Sequence, residues 1–361
     1  MKVLIIDDIE DTVKGIIDNC EENKWEYQLV GFDKASAALL DFNPDVIVLD
    51  WCEDAEKINT GEYILNKIWD IAFRPVLVFS ANAYIIDVKS KLDKSKMLTV
   101  VPKGDETPVI DFLKDIEKFV NALSEYRSNM SSALIESMNS IYHFKNDSEI
   151  EESAIGYILS KRTSAFFDDK YISSISPSWV QYLCPPLGTC LSVCDIIRVN
   201  NNNSDMHLAG KPEEYCMILT PSCDLYHSEG RLPKVTHALC AHCFPKEKFH
   251  GHDLSDNPSN SKISSVKTKL NAGYNENFVP LPGFSDVLPY MTADLKKIEL
   301  IPLNEIAVNI SSITDEIKYI RIASICSPFR EQIVWAHLQN SCRPGVPDRN
   351  TELWAKELLT K

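Results

Sequence analysis

Five polar residues follow short apolar runs, at positions from which their side chains could act on one group. Asp7 and Asp8 come directly after residues 3–6, Asp50 after 46–49, Ser80 after 76–79, and Lys103 two positions after 98–101. If those runs are parallel strands of one sheet, the five side chains gather at its carboxyl edge, where open α/β sheets place their ligands. Three carboxylates held together repel unless a cation stands among them. The ion that suits a few carboxylates, a backbone carbonyl and retained water is Mg²⁺. Ser80 adds a hydroxyl and Lys103 an ammonium, and the set is equipment for handling a phosphoryl group by positioning and charge neutralisation.

A second group of reactive side chains lies further along. Cys223 and Asp224 stand in MILTPSCDL (217–225), and Cys240 and Cys243 stand in LCAHC with the C-x₂-C spacing that lets two thiolates share a metal. Cys223, Cys240 and Cys243 can supply three ligands of a structural Zn²⁺, with His227, His237, His242 or Cys326 as the fourth. The same thiols also read as buried packing residues. A third reading is catalytic, with Cys223 as a thiolate nucleophile and His227 or His237 as its base. His250 and His252 read as a solvated loop, and His143 in HFKN as a linker residue.

The elements that must hold these groups are legible in the first 120 residues. Runs at 3–6, 27–30, 46–49, 76–79 and 98–101 are short and rich in β-branched residues, as buried parallel strands are. Helical stretches at 10–20, 34–40, 62–71, 83–92 and from 107 onward alternate with them, which predicts a doubly wound sheet. From Thr107 the last helix runs on without Gly. Val109, Leu113, Ile116, Val120, Leu123, Met130, Leu134, Met138 and Ile141 form one apolar seam, suited to packing within the chain or to forming a homodimer. A second helix is expected over 149–161.

Beyond Pro177 the texture changes to short runs with frequent Pro, Gly and Asn. Strands are expected at 194–199, 216–220, 236–239, 277–281, 297–301 and 317–325, in an antiparallel sheet or small barrel, with loops at 200–205 and 250–265. Ser327-Pro328 opens a helix through 339, and a short final helix covers 351–359. The expected organisation is an α/β domain over 1–122, a helical linker over 123–176, and a Cys-rich α+β output domain over 177–361.

Composition agrees with two different halves. The chain has 361 residues, 37 basic and 52 acidic, for a formal charge of −15, which disfavours broad neutralisation of nucleic-acid phosphates. Residues 1–122 hold 14 basic and 24 acidic side chains, so the acidity is concentrated at the front, whereas nine of eleven cysteines lie between Cys184 and Cys342. No apolar run approaches the roughly 18 residues of a membrane span, and Asp7 and Asp8 interrupt any export-signal core. A cytoplasmic protein with reduced thiols is the expectation.

LIIDD (4–8), DVIVLD (45–50), PVLVFSA (75–81) and VPK (101–103) resemble, in order, the motifs of two-component response-regulator receiver domains. The resemblance implies a flavodoxin-like fold and phosphorylation of Asp50 by a histidine kinase, a phosphotransfer protein or a small phosphodonor. It implies that Asp8 and Asp50 bind Mg²⁺ with the carbonyl of Cys52, that Asp7 acts through metal-bound water, and that Ser80 and Lys103 contact phosphoryl oxygens. Three features depart from the family pattern: a long stretch between Asp50 and Gly61, Val100 in place of an aromatic residue, and Gly104 in place of proline. SPFREQ (327–332) and RPGVPD (343–348), with LTPSCDL, look similar to bacterial proteins with a β-rich domain, a closing helix and no assigned activity, and the order CDIIRV, CMILTPSCDL, THALCAHC, ADLKKIELIP resembles the small barrel of MazF-type toxins. No DNA-reading helix-turn-helix and no cyclic-dinucleotide motif can be placed in the second half. The output is therefore a non-DNA-binding interaction domain, or alternatively an effector enzyme, a thiol hydrolase or toxin-like nuclease, that the receiver restrains.

Overall fold

The computed structural model describes residues 1–52, 60–71, 73–81, 83, 98–142, 151–171, 176–200, 209–251, 254–314, 316–342 and 349–360. The helix expected over 83–92 lies, but for Ala83, outside them, as do His143, His252 and residues 201–205. The chain divides into two compact units, Met1–Ser174 and Ile175–Lys361.

The first unit contains β1 (Lys2–Ile6), α1 (Lys14–Glu22), β2 (Glu26–Val30), α2 (Ala35–Asp41), β3 (Val46–Leu49), α3 (Thr60–Ile71), β4 (Val76–Ser80), β5 (Leu98–Pro102), α4 (Thr107–Ile141) and α5 (Glu152–Tyr171). The strands form one parallel sheet in the order β2-β1-β3-β4-β5. This is the flavodoxin-like order, in which the direction of winding reverses between β1 and β3. The strands are apolar on both faces because both faces are covered. Leu4, Ile6, Ile47, Leu49 and Val78 pack toward α2 and α3, and Val3, Ile5, Val48, Leu77 and Phe79 pack toward α1 and the start of α4. Each such side chain contributes about 1.5–3 kcal/mol on burial.

α4 begins where the Asp105 carboxylate accepts the Thr107 N–H at 2.9 Å and Pro108 occupies the first turn. Val109, Leu113, Ile116 and Val120 then bury against the sheet as their spacing predicts. Past Val120 the expected seam holds only in part: Ile141 is buried as its spacing predicts, and Leu123 and Met130 are half-buried. Leu134 and Met138 are exposed, and the buried positions are Asn129, Ala133, Ser137 and Ile141. Small side chains let α5 approach closely, with Tyr126 stacked on Phe167 at 4.8 Å and Asn129 Nδ2 donating to the Tyr171 hydroxyl at 2.9 Å.

The second unit holds β6 (Tyr182–Leu183), β7 (Asp195–Val199), β8 (Tyr215–Ile218), β9 (His237–Pro245), α6 (Asn260–Ala272), β10 (Phe278–Leu281), β11 (Met291–Pro302), β12 (Ile306–Ala307), β13 (Tyr319–Ile325), α7 (Phe329–Ser341) and α8 (Thr351–Leu359). The sheet order is β10-β11-β9-β8-β7-β13-β12, with β6 also on β13. All pairings are antiparallel except β12 with β13. The sheet is open, with β10 and β12 at its two ends, so the small-barrel alternative is corrected. β9 and β11 are longer than expected, and α6 occupies part of the supposed loop at 250–265, because Ser259 caps it by accepting the Lys262 N–H.

Candidate functional site

Backbone hydrogen bonds extend the sheet just far enough to fix the acidic residues. Asp7 N–H donates to Val30 O at 3.0 Å, Asp50 N–H to Ile6 O at 2.8 Å, and Lys103 N–H to Ser80 O at 3.1 Å. Asp7, Asp50, Ser80 and Lys103 are therefore held at the carboxyl edge, and Asp7 and Asp50 flank the point where the winding reverses.

The Lys103 ammonium lies 2.7 Å from Asp7 Oδ2 and 2.7 Å from Asp50 Oδ2, with only 15%, 3% and 13% of the Lys103, Asp7 and Asp50 side chains exposed. Asp7 is held further by the Ile9 N–H on Oδ1 at 2.9 Å and the Thr12 hydroxyl on Oδ2 at 3.2 Å, and Asp50 Oδ1 accepts the Trp51 N–H at 2.7 Å. Burial works to lower the pKa of Lys103, but hydrogen bonds to Asp50 and Asp7, and their charges, outweigh it and hold the pKa above the ordinary lysine value. Gly104 turns the chain immediately after, at φ +126°, a conformation open to glycine.

The charge balance differs from the sequence expectation in one respect. Asp8 is exposed, and its carboxylate rests against Gly31, where a Cβ would come within 2.8 Å of Asp8 Oδ1. The cation between the two buried carboxylates is the ammonium of Lys103, which offsets one of their two charges. Among the described residues no group of three or more acidic, histidine or cysteine side chains is arranged to hold a metal. Mg²⁺ nevertheless needs only one or two carboxylates beside its waters. Asp50, a hard oxygen donor already paired with one positive charge, fits that demand, and Asp7 beside it is placed to hold a metal-bound water.

Ser80 is fully buried at the end of β4, paired in register with Pro102. Cys52 is half-buried against the sheet core. The start of α3 is tied to the residue after Asp50: Gly61 N–H donates to Trp51 O at 2.9 Å, and a Cβ on Gly61 would lie 2.6 Å from that oxygen. Only glycine fits there without displacing the backbone beside Asp50.

The cysteine readings are corrected by strand geometry. Cys240 and Cys243 both lie on β9, three residues apart, and an odd offset in a strand places side chains on opposite faces. Cys240 packs with Ile197, Ile218 and Ile301 on one face, whereas Cys243 packs with Met217, Met291 and Ile325 on the other. They cannot share a zinc with Cys223, which is exposed in the short helix Ser222–Leu225. Burial holds the Cys240 and Cys243 thiols well above the ordinary range, so both are neutral packing groups.

Cys223 does not carry the nucleophile reading either. Its thiol contacts Asp224 Oδ1 at 3.6 Å, the Asp224 carboxylate is paired with Lys234, and among the described residues no histidine nitrogen bonds to Cys223. Two arrangements escaped the sequence. Cys216 Sγ stands 3.6 Å from His242 Nδ1, and His242 Nε2 stands 3.1 Å from Glu299 Oε2, across three adjacent strands. Burial, with the Glu299 charge, pushes the Cys216 thiol up to about 12, so this chain of contacts holds a neutral thiol. The second is the buried pair Asp195 and Arg321, whose guanidinium also donates to the carbonyls of Gly188, Cys190 and Val308 while Ser324 bonds Asp195. Adjacency in the fold, not in sequence, makes both sites.

No protein-family model matches the chain, and no curated protein matches it significantly. Solved structures do match its N-terminal third, among them receiver domains of response regulators. One is the N-terminal domain of a response regulator/sensory box/GGDEF protein from Carboxydothermus hydrogenoformans, with 19% identity and a TM-score of 0.28 over 36% of this chain and 99% of that one. The receiver domain of Francisella response regulator 1452 is 24% identical, with a TM-score of 0.26 over 35% of this chain and 98% of that one. The receiver domain of PhyR from Erythrobacter litoralis is 18% identical, with a TM-score of 0.26 over 32% and 87%.

Proposed function

We propose that residues 1–122 are the receiver of a response regulator and that Asp50 accepts a phosphoryl group from a histidine kinase, a phosphotransfer protein or a small phosphodonor. The observation that supports this most directly is the Lys103 ammonium held by Asp7 and Asp50 at the winding reversal of a 2-1-3-4-5 sheet. One Asp50 carboxylate oxygen attacks phosphorus, the bond from phosphorus to the donor atom breaks, and its electron pair leaves with the donor. Lys103 releases Asp50 as the phosphoryl group arrives and neutralises the phosphoryl oxygens, with the Ser80 hydroxyl as a second donor. Mg²⁺, when bound, supplies the remaining charge neutralisation; Asp8, Asp50 and the Cys52 carbonyl would hold it, with Asp7 acting through its water.

The second unit is proposed as the output, an interaction module in a cytoplasmic signalling pathway. No described helix is long and apolar enough to cross a membrane. The exposed Leu134, Ile135 and Met138 on α4 form a stripe that a second copy can meet about a two-fold axis, and a homodimer through this helix is part of the proposal.

The experiment is incubation of the full chain with Mg²⁺ and acetyl phosphate or phosphoramidate, read by intact mass. One phosphoryl group is expected on the native chain and none on Asp50→Asn. Undiminished labelling of Asp50→Asn would overturn the assignment.

A further inference from the structure

We propose that the second unit binds a small amphiphilic monoanion, with an apolar body and a carboxylate-like head, in a cavity of about 380 Å³ between β10, β11, α6 and α7. The volume lies within the range of small-molecule sites and well above that of a packing defect. Val266 and Leu270 of α6, Leu281 of β10, Met291 of β11, and Phe329 and Ile333 of α7 give it apolar walls.

Two walls are fixed by glycines. At Gly273, which ends α6 at φ +80°, a Cβ would come within 2.1 Å of Gln332 Nε2, so the Gln332 carboxamide lies directly on the backbone. At Gly283 a Cβ would come within 2.8 Å of the Tyr290 ring, which lines the cavity from the other side. Larger residues at either position would push these side chains off their seats.

The polar groups identify the head of the ligand. Gln181 lines the cavity, and its Nε2 is buried, facing the Tyr182 hydroxyl but making no hydrogen bond of ordinary length among the described residues. A buried amide donor is costly to leave unpaired, and a ligand oxygen would satisfy it. Exposed Lys246 stands on the rim, its ammonium 5.4 Å from the centre of the Tyr290 ring. No Asp or Glu is among the described lining residues, so an anion meets no repulsion and a cation would find no counter-charge. An apolar body with one acceptor-bearing negative head matches all three features.

The test uses the full chain and two probes, decanoate and uncharged 1-octanol, followed by calorimetry and by displacement of 1-anilinonaphthalene-8-sulfonate fluorescence. Decanoate is expected to bind saturably at one site. Val266→Trp, which fills the cavity from a partly exposed helix position, should abolish binding of both probes with the melting temperature retained. Leu270→Trp on the same helix replaces it if that variant does not fold. Lys246→Gln should weaken decanoate about tenfold, the value of a lost charge-assisted hydrogen bond, and leave octanol unchanged. Gln181→Leu should weaken decanoate as well. The proposal is overturned if neither probe gives heat, as for a cavity that holds only water, if binding survives both tryptophan variants, or if Lys246→Gln affects the two probes alike.

Discussion

Replacing Lys103 with methionine removes the positive charge that stands between Asp7 and Asp50 while keeping most of the side chain's apolar stem. Breaking a fully buried pair by deleting one partner costs about 3–5 kcal/mol. Here 13–15% of the Lys103 and Asp50 side chains remains exposed, and water can solvate part of the orphaned charge, so we expect roughly 2–3 kcal/mol. The loss should be largest in chelator. Magnesium at about 100 times its Kd restores on the order of 2.7 kcal/mol, and it should stabilise Lys103→Met more than the native chain because no ammonium competes for the carboxylates. The pKa of Lys103 is raised in the folded chain, so its stabilising contribution is complete below the ordinary value of 10.5 and fades only as pH climbs through the higher folded value. Native and variant chains should therefore differ throughout the neutral range and converge only in strong alkali. Hydrogen exchange of the segments containing β1 and β3, with and without Mg²⁺, reads the effect locally. Equal protection of the two chains in chelator, or equal stabilisation of both by Mg²⁺, would refute the charge account.

Two further outcomes concern the second unit. Arg321→Met leaves Asp195 buried without its cation and should cost about 3–5 kcal/mol at neutral pH in urea denaturation. Burial already raises the pKa of Asp195, so this deficit should shrink as acid protonates the carboxyl, and Asp195→Asn in the same chain should recover much of it. His337 on α7 is half-buried, and burial lowers its pKa below 6.5. Stability from the neutral ring is present above 6.5 and lost as pH falls through the lower folded value, so melting temperatures measured from about pH 7 down to pH 5 should fall less steeply for His337→Gln.

The acidic pocket was legible because its code is local. A β-branched run followed by Asp states both the strand and the residue at its carboxyl end, and two such runs, with Ser80 and Lys103 after two more, specify the edge on which they meet. The structure then shows what spacing could not, that Lys103 itself is the counter-cation and that Asp8 turns toward Gly31. Beyond Val120 the seam on α4 departs from the expectation at Leu134 and Met138, which stay outside, because close helix packing there uses the small Ala133 and Ser137, whereas Ile141 buries as expected. The zinc expectation took C-x₂-C as if it lay in a turn, whereas in the extended β9 the same spacing divides the thiols between two cores. Asp195 and Arg321 are 126 residues apart, a separation at which no window of sequence links them.

The two buried stripes of α4 also differ in phase. From Val120, the last residue buried on the sheet, to Asn129, the first buried residue beside α5, is nine residues, about two and a half helical turns. The helix therefore presents nearly opposite sides to its two supports, as a crankshaft does to its bearings. A roll of its first half against the sheet must reappear as a roll of its second half against α5, with no intervening glycine or proline to absorb the torque. Inserting a single residue between Val120 and Asn129 would put the distal stripe about 100° out of phase, whereas inserting seven would leave it within about 20° of its original bearing.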